Sequence, residues 1–427
     1  MVYNNQYCFV IRDSKNTFYK FALNSYKNLL LQSYDYRGVL SSFMFKESVV
    51  NFSLAIDSLD KIHILYTSIG GIIKYSVYPS NFHRDINLFN IDTKKFNIGF
   101  LTLKIIKFKP HIFYILENKL HPSDISIYHG FLDNNTFYNR KLADISFSKY
   151  IYPYMVDINN DTIYLFYQSN YNSFAIKKFD INLQSWMDYD NNILLSDANN
   201  ATFLTNDKNI AVLCYNSSFN KNIQTFVKYK TLDSPSSQWS SPIMLSDGTT
   251  NSTHSSIINK TGYTYVIWEE NGQIVYRKSF YGKDDWEYKK ILTYKKDQFF
   301  TGIYLSSHET DKDFKSIFTT INIETFPYPI INFEGKVSKS FYLNKNSVNN
   351  TLFMPINNSS TPYNKKEKKY IQELQAKVTN NEKKIIELSQ QNLILKNELE
   401  LKNKQLDELN EALKRKNWFR KFFKNNP

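Results

Sequence analysis

Two adjacent carboxylates, Glu269 and Glu270, close an apolar run in the stretch TYVIWEENG. Acids beside a Trp are how many hydrolytic sites are built, because burial raises one carboxyl pKa while its neighbour stays ionised. A glycosidase, however, needs its two carboxylates facing each other across a sugar, roughly 5–10 Å apart. Neighbours on a strand point to opposite faces, so these two cannot form that pair. The matching positions of similar segments hold Thr67, Gln168 and Asn216, which carry no acid. The pair therefore reads as the polar rim of a hairpin, with Asn271-Gly272 supplying the positive φ angles of a tight turn.

Other chemistry finds little support. Cys8 and Cys214 each sit in an apolar strand-like run, YCFVI and AVLCY, where a thiol acts as a small hydrophobe. Seven His residues show no HxxxH or HExxH spacing, so no metal is expected. There is no GxSxG elbow, P-loop or GxGxxG, and no cofactor is implied. The N-terminal MVYNNQYCFVIR lacks the basic and long apolar regions of a secretory signal, and no apolar run reaches the roughly 18 residues of a membrane span. A cytoplasmic location is the expectation.

A net charge of +13 invites a nucleic-acid reading, but 16 Lys and Arg against 9 Asp and Glu lie from Asn364 onward. The basic signal belongs mainly to the tail, which argues against a nucleic-acid platform in the body. Aromatics make up 16% of the chain while Gly and Pro number 11 each, a composition that favours strands filled by rings.

Those strands repeat. KIHILY (61–66), HIFYIL (111–116), TIYLFY (162–167), NIAVLCY (209–215), YTYVIW (263–268) and KSIFTT (315–320) return about every 50 residues, the period of propeller blades. An aromatic keeps the same beat at Phe82, Phe137, Trp186, Trp239 and Trp286. A third strand lies between the markers, as in FAIKKFDI and QIVYRKSF, and another precedes each apolar marker, as in ATFLT. Four strands per unit, apolar on both faces in the middle, predict an all-β propeller of four-stranded blades over 1–356. The segment YCFVIRDSKNTFYKFAL matches second and third strands with no first strand before it, while NTLFMPI (350–356) is a spare strand at the other end. Pairing them closes a ring of seven blades. Six is the alternative.

A strand, a polar turn and then a Trp or Phe, repeated around a ring, resembles the Asp-box repeat of sialidase-like propellers over roughly residues 1–356. FLDNNTF keeps Asp133, Thr136 and Phe137 of that pattern, whereas YGKDDW keeps little beyond Trp286. The resemblance implies a substrate carboxylate held by three Arg from different blades, with a Tyr–Glu pair and an Asp acid/base. The body offers only Arg12, Arg37, Arg84, Arg140 and Arg277, and none stands in the family's arginine signature; YDYRG around Arg37 is the nearest imitation. An enzyme of this glycosidase type is thus the less favoured reading.

After a polar linker (357–369) the period changes. With Ile371 at position a, the seam reads Ile371, Leu374, Val378, Ile385, Leu388, Asn392, Leu395, Leu399, Leu406, Leu409 and Leu413. Six heptads without Gly or Pro over 370–416 predict a coiled coil about 70 Å long. Asn392 at an a position selects two-stranded pairing in register, and a Lys377–Glu382 contact suits parallel chains, so a parallel homodimer is expected. The final segment (417–427) and the turn before it set Trp418, Phe419, Phe422 and Phe423 among Lys414, Arg415, Lys416, Arg420, Lys421 and Lys424. Rings on one face with cations beside them suit an anionic membrane surface, where each nearby cation adds about 1 kcal/mol. An acidic protein partner is the competing reading. The sum is a non-catalytic, bacterial, dimeric adaptor whose propeller binds an unknown protein or glycan; the rival is a carbohydrate-binding or glycoside-hydrolysing propeller.

Overall fold

The computed structural model describes residues 8–322 apart from 36–37, 80–84, 134–135, 146–151, 171–172, 196–197, 235, 293–298 and 318. Six sheets hold all the strands of the described residues. Blade 1 is β1 (Cys8–Arg12), β2 (Phe18–Leu23), β3 (Leu29–Asp35) and β4 (Gly38–Lys46); blade 2 is β5 (Val49–Ile56), β6 (Ile62–Ser68), β7 (Ile72–Tyr78) and β8 (Ile86–Asn90). Blade 3 is β9 (Phe96–Ile106), β10 (Lys109–Asn118), β11 (Ile125–Asp133) and β12 (Thr136–Ile145); blade 4 is β13 (Tyr154–Asn159), β14 (Thr162–Asn170), β15 (Ser173–Asp180) and β16 (Ser185–Leu194). Blade 5 is β17 (Asn199–Thr205), β18 (Ile210–Phe219), β19 (Asn222–Thr231) and β20 (Ile243–Met244); blade 6 is β21 (Ser252–Lys260), β22 (Tyr263–Glu270), β23 (Gln273–Phe280) and β24 (Lys290–Leu292). Within each blade consecutive strands pair antiparallel.

The propeller therefore has six blades, and the expected seventh does not form. The reason lies in the first hairpin. Asp13 accepts from the amides of Lys15 and Thr17, as Asp57 does from Leu59 and Lys61 in the turn joining the first two strands of blade 2. CFVIR and FYKFAL are thus first and second strands, not second and third, and blade 1 is complete without a strand from the far end. KSIFTT is not a blade strand either: Lys315–Ser316 forms β26 on β21, and Thr319–Asn322 forms β27 on β25 (Phe299–Ser306). Residues 350–356, expected to close the ring, and the coiled coil and tail of 370–427 lie outside the described residues.

The second strands of blades 2 to 6 are buried on both faces, as in the BBBBBBi pattern of β6, because each is sandwiched between neighbouring blades, whereas β2 of blade 1 is only partly buried. Fourth strands are exposed, as in the eeiie pattern of β8. Four of the five aromatics of the beat, all but Phe82, which lies outside the described residues, stand at or just before these outer strands, and each of the four reaches back onto the preceding blade. Phe137 stacks on Phe89 of blade 2 at 5.2 Å, and Trp186 donates to His129 of blade 3 at 3.1 Å. Trp239 donates to Asp190 of blade 4 at 3.0 Å, and Trp286 packs into the blade 5–6 core. Gly130 is required under Phe137, since a Cβ there would lie 2.3 Å from the ring.

Five apolar cores fill the seams from blade 1–2 to blade 5–6. At the sixth seam two smaller clusters meet, one around Ile258 and Tyr265 of blade 6 and one around Val10 and Phe18 of blade 1, and Phe314 packs against both. The segment that carries Phe314 leaves blade 6 and adds β25 to β1 in parallel register, Cys8 beside Gly302 through Arg12 beside Ser306. It then makes a single 3-10 turn (Glu309–Asp311) and pairs β26 with β21. Arg12 and Asp311 pair at 2.9 Å with both side chains about nine-tenths buried, and Asp311 also accepts from Tyr304 at 2.7 Å and Ser306 at 2.9 Å. Burial pushes the Asp311 pKa up, but the bonds from Tyr304 and Arg12 outweigh it and hold the carboxyl below its ordinary value.

A carboxyl whose folded pKa is depressed stabilises the fold above its unfolded value near 3.9 and loses that contribution as pH falls through the folded one. Asp311→Asn is therefore expected to destabilise the propeller by about 2–4 kcal/mol at pH 7. In denaturant melts followed from pH 7 to pH 3, the gap to wild type should narrow below pH 4.

Candidate functional site

The acids that first suggested chemistry are structural. Asn271 and Gly272 have φ of 52° and 71°, the turn expected between β22 and β23. Glu270 is not a solvent rim: it is 6% exposed and accepts from Trp268 Nε1 at 3.0 Å, Thr250 Oγ1 at 2.8 Å and Lys289 at 3.0 Å. Glu269 lies on the opposite face, 3.4 Å from His254. Thr67, Gln168 and Asn216 are buried too, and Asn216 reaches the Ser252 carbonyl and the Ser255 amide of blade 6. At Asn216 this strand end ties blade 5 to blade 6.

Two histidine constellations have the outline of catalytic relays. In blade 2, Asp57 meets His63 at 3.1 Å and His63 meets Tyr75. All three are buried, burial holds the His63 pKa down, and burial with the Asp57 charge pushes the Tyr75 phenol up, the reverse of an activated nucleophile. In blade 3, His111 and His129 stack at 5.3 Å and share a hydrogen bond of 3.0 Å. Burial pushes His111 down to about 4 and His129 well below its ordinary value, so both rings are neutral at pH 7. Burial raises the Cys8 and Cys214 thiols to about 11 and about 12, which disfavours the reactive thiolate.

The described arginines do not converge. Arg12 ends β1 of blade 1 and pairs with Asp311 of the returning segment, Arg140 stands on the exposed β12, and Arg277 lies 3.7 Å from Asp247; Arg37 and Arg84 lie outside the described residues. Among the described residues no three His, Cys, Asp or Glu side chains gather as metal ligands would. No helix there is long and apolar enough to cross a membrane. The seam residues Ile371 to Leu413 and the tail residues Lys414 to Lys424 lie outside the described residues.

What the fold does assemble is a cleft of about 420 Å³ where blades 4, 5 and 6 meet the returning segment. Its inner wall is made by Asn159, Asn206 and Asn259, which end the first strands of the three blades and are buried. Each is tied to a neighbouring blade: Asn159 donates to Asn209 at 2.8 Å, Asn206 to the Tyr281 carbonyl at 3.0 Å, Asn259 to the Thr205 carbonyl at 3.2 Å. Phe280, 47% exposed, lies 5.5 Å edge-on to Tyr263 and 4.1 Å from Tyr281. Asp207, Lys312 and Asp313 stand exposed around it. Rings beside charged and amide groups suit a ligand that is apolar on one side and hydrogen-bonding on the other. Sequence reasoning missed this cleft because its residues are spread over five segments, although the Asn at the end of the first strand in blades 4, 5 and 6 follows the repeat.

No protein-family model matches the chain, and no curated protein sequence matches it. Among solved structures, a polysaccharide lyase, the PL25 ulvan lyase, superposes with a TM-score of 0.50 at 9% identity, covering 75% of this chain and 92% of the lyase. The fucose-recognising lectin of Aleuria aurantia, itself a six-bladed β-propeller, has a TM-score of 0.40 at 10% identity and covers 67% of this chain and 95% of the lectin. Prolyl oligopeptidase B of Galerina marginata has a TM-score of 0.44 at 10% identity, over 69% of this chain and 44% of that one. At such identity the likeness is one of fold, and the class defined by six four-stranded sheets is the β-propeller.

Glu270 is the deeper of the two acids and carries the ion pair to Lys289, whereas Glu269 is partly buried beside His254. Glu270→Gln is expected to lower stability by about 1–3 kcal/mol, because the neutral amide gives up the charge that pairs with Lys289. Glu269→Gln should cost less than Glu270→Gln in the same melts.

Proposed function

We propose that the chain is a dimeric recognition module: a propeller that binds its partner through the blade 4–6 cleft, carried on the 370–416 coiled coil, with the 414–427 tail docking on an anionic membrane. The observation that supports this most is the cleft itself, where exposed Phe280 sits beside Tyr263, Tyr281 and three charged side chains. An exposed ring on a rigid strand end loses little entropy on binding, which is why aromatic anchors dominate recognition sites. The stalk would place two such clefts on one assembly and join two weak tails into one stronger anchor.

A hydroxyl-rich ligand is the second reading. A sugar ring offers a C–H face for Phe280 and Tyr263 and hydroxyls for Asp207 and Asp313, so the same cleft would hold a glycan. The lyase and lectin among the fold neighbours bind sugars, and that is a property of those proteins.

The full chain, probed against a glycan array and against candidate partner proteins, should lose bound ligand at least tenfold on Phe280→Ser with an unchanged circular dichroism spectrum. Binding unaffected by that change removes the cleft from the account. Light scattering should give twice the 50.5 kDa chain mass, and Asn392→Leu should shift the population toward higher oligomers. A monomer in both forms contradicts the stalk, and flotation on anionic vesicles unchanged by Trp418→Ala with Phe422→Ala contradicts the anchor.

A further inference from the structure

A second cavity of about 80 Å³ lies where the first strands of blades 1 to 4 meet the returning segment. Phe9, Leu54, Leu103, Val156 and Ile317 make much of its wall apolar, and Asn51, Ser53 and Thr102 line it together with Lys104 and Ser316. Ser316 Oγ is buried with no hydrogen-bond partner among the described residues. Lys104, on β9, makes no ion pair with them either. Burial depresses its pKa, and the residue lines the cavity.

The charges nearby do not cancel. Asp157 is the carboxylate whose field Lys104 feels, with Lys315 as the opposing cation. Asp157 is already engaged by Lys315 at 2.9 Å and by the amide and hydroxyl of Thr205, both at 2.6 Å. Lys315 in turn donates to the Ile158 carbonyl at 2.6 Å and the Thr205 carbonyl at 2.9 Å. That network is closed, and it holds one cation for one anion. Lys104 remains as one positive charge in a largely apolar wall, where an ammonium without a counter-charge is costly.

We propose that the cavity binds a halide-sized monoanion, held by the Lys104 ammonium and the Ser316 hydroxyl. One negative charge restores neutrality, and 80 Å³ is several times the space one water requires. The anion bridges β9 of blade 3 to β26 of the returning segment, so its binding is linked to closure of the ring. A ligand that binds the folded chain alone stabilises it by mass action.

The test is thermal melting of the full chain in sodium chloride, sodium bromide, sodium gluconate and sodium sulfate at matched ionic strength. Chloride and bromide should raise Tm by about 2 °C per tenfold in concentration once the site begins to fill, with no such rise in gluconate, while sulfate gives only its general stabilisation, which Lys104→Met leaves unchanged. Lys104→Met should abolish the halide increment, and Ser316→Ala, which keeps the charge, should shift its onset to about tenfold higher concentration. Crystals grown in bromide should show an anomalous peak beside Lys104 Nζ. A rise in gluconate equal to that in chloride and bromide, a Lys104→Met protein that keeps the halide increment, or the absence of a bromide peak beside Lys104 Nζ overturns the proposal.

Discussion

Everything in this propeller depends on how its sixth seam is shut. Five seams are filled by continuous apolar cores between blades that follow each other in the chain. The sixth joins the first blade to the last, which the chain does not connect directly, and its two small clusters touch through Phe314. The returning segment supplies what apolar packing there lacks: a parallel strand along β1, the Arg12–Asp311 pair, and Lys315 reaching Asp157 and Thr205 of blades 4 and 5. A strand, an ion pair and a lysine spoke distribute the closure over several blades. Loss of one contact leaves the others in place.

The same constraint explains where polar groups went. A ring of sheets must present flat apolar faces at each seam and still satisfy strand ends that lie deep between blades. Glu270, Asn216, Asn206 and Asn259 do this by bonding within the crowded rim or to a neighbouring blade. Side chains that looked chemically promising are thereby held in structural bonds. The blade 4–6 cleft differs, because Phe280 and its charged neighbours are exposed at a place where three rigid strand ends and the returning segment converge.

Much of this was legible in the residues. Alternating aromatics and a fifty-residue period foretold four-stranded blades, since a strand packed on both faces has to be apolar on both. Asn271-Gly272 foretold its turn because few other residue pairs adopt two positive φ angles cheaply. The blade count failed on a specific point: CFVIR is more apolar than FYKFAL, so apolarity set the register one strand off. The paired turns DSKNT and DSLDK, with Asp13 and Asp57 each accepting two backbone amides, held the correct register. The cleft was invisible because proximity of Asn206, Asn259, Phe280 and Lys312 comes from ring closure, a long-range event with no local pattern.

Closure by the returning segment is tested most directly by amide hydrogen exchange on the full chain and on Phe314→Ala. Closure through Phe314 means that amides of β1 and β25 exchange in step in the wild type, and that the substitution speeds both together while β14 in blade 4 keeps its protection. Exchange of β1 and β25 that is uncoupled in the wild type, or unchanged by Phe314→Ala, would contradict it.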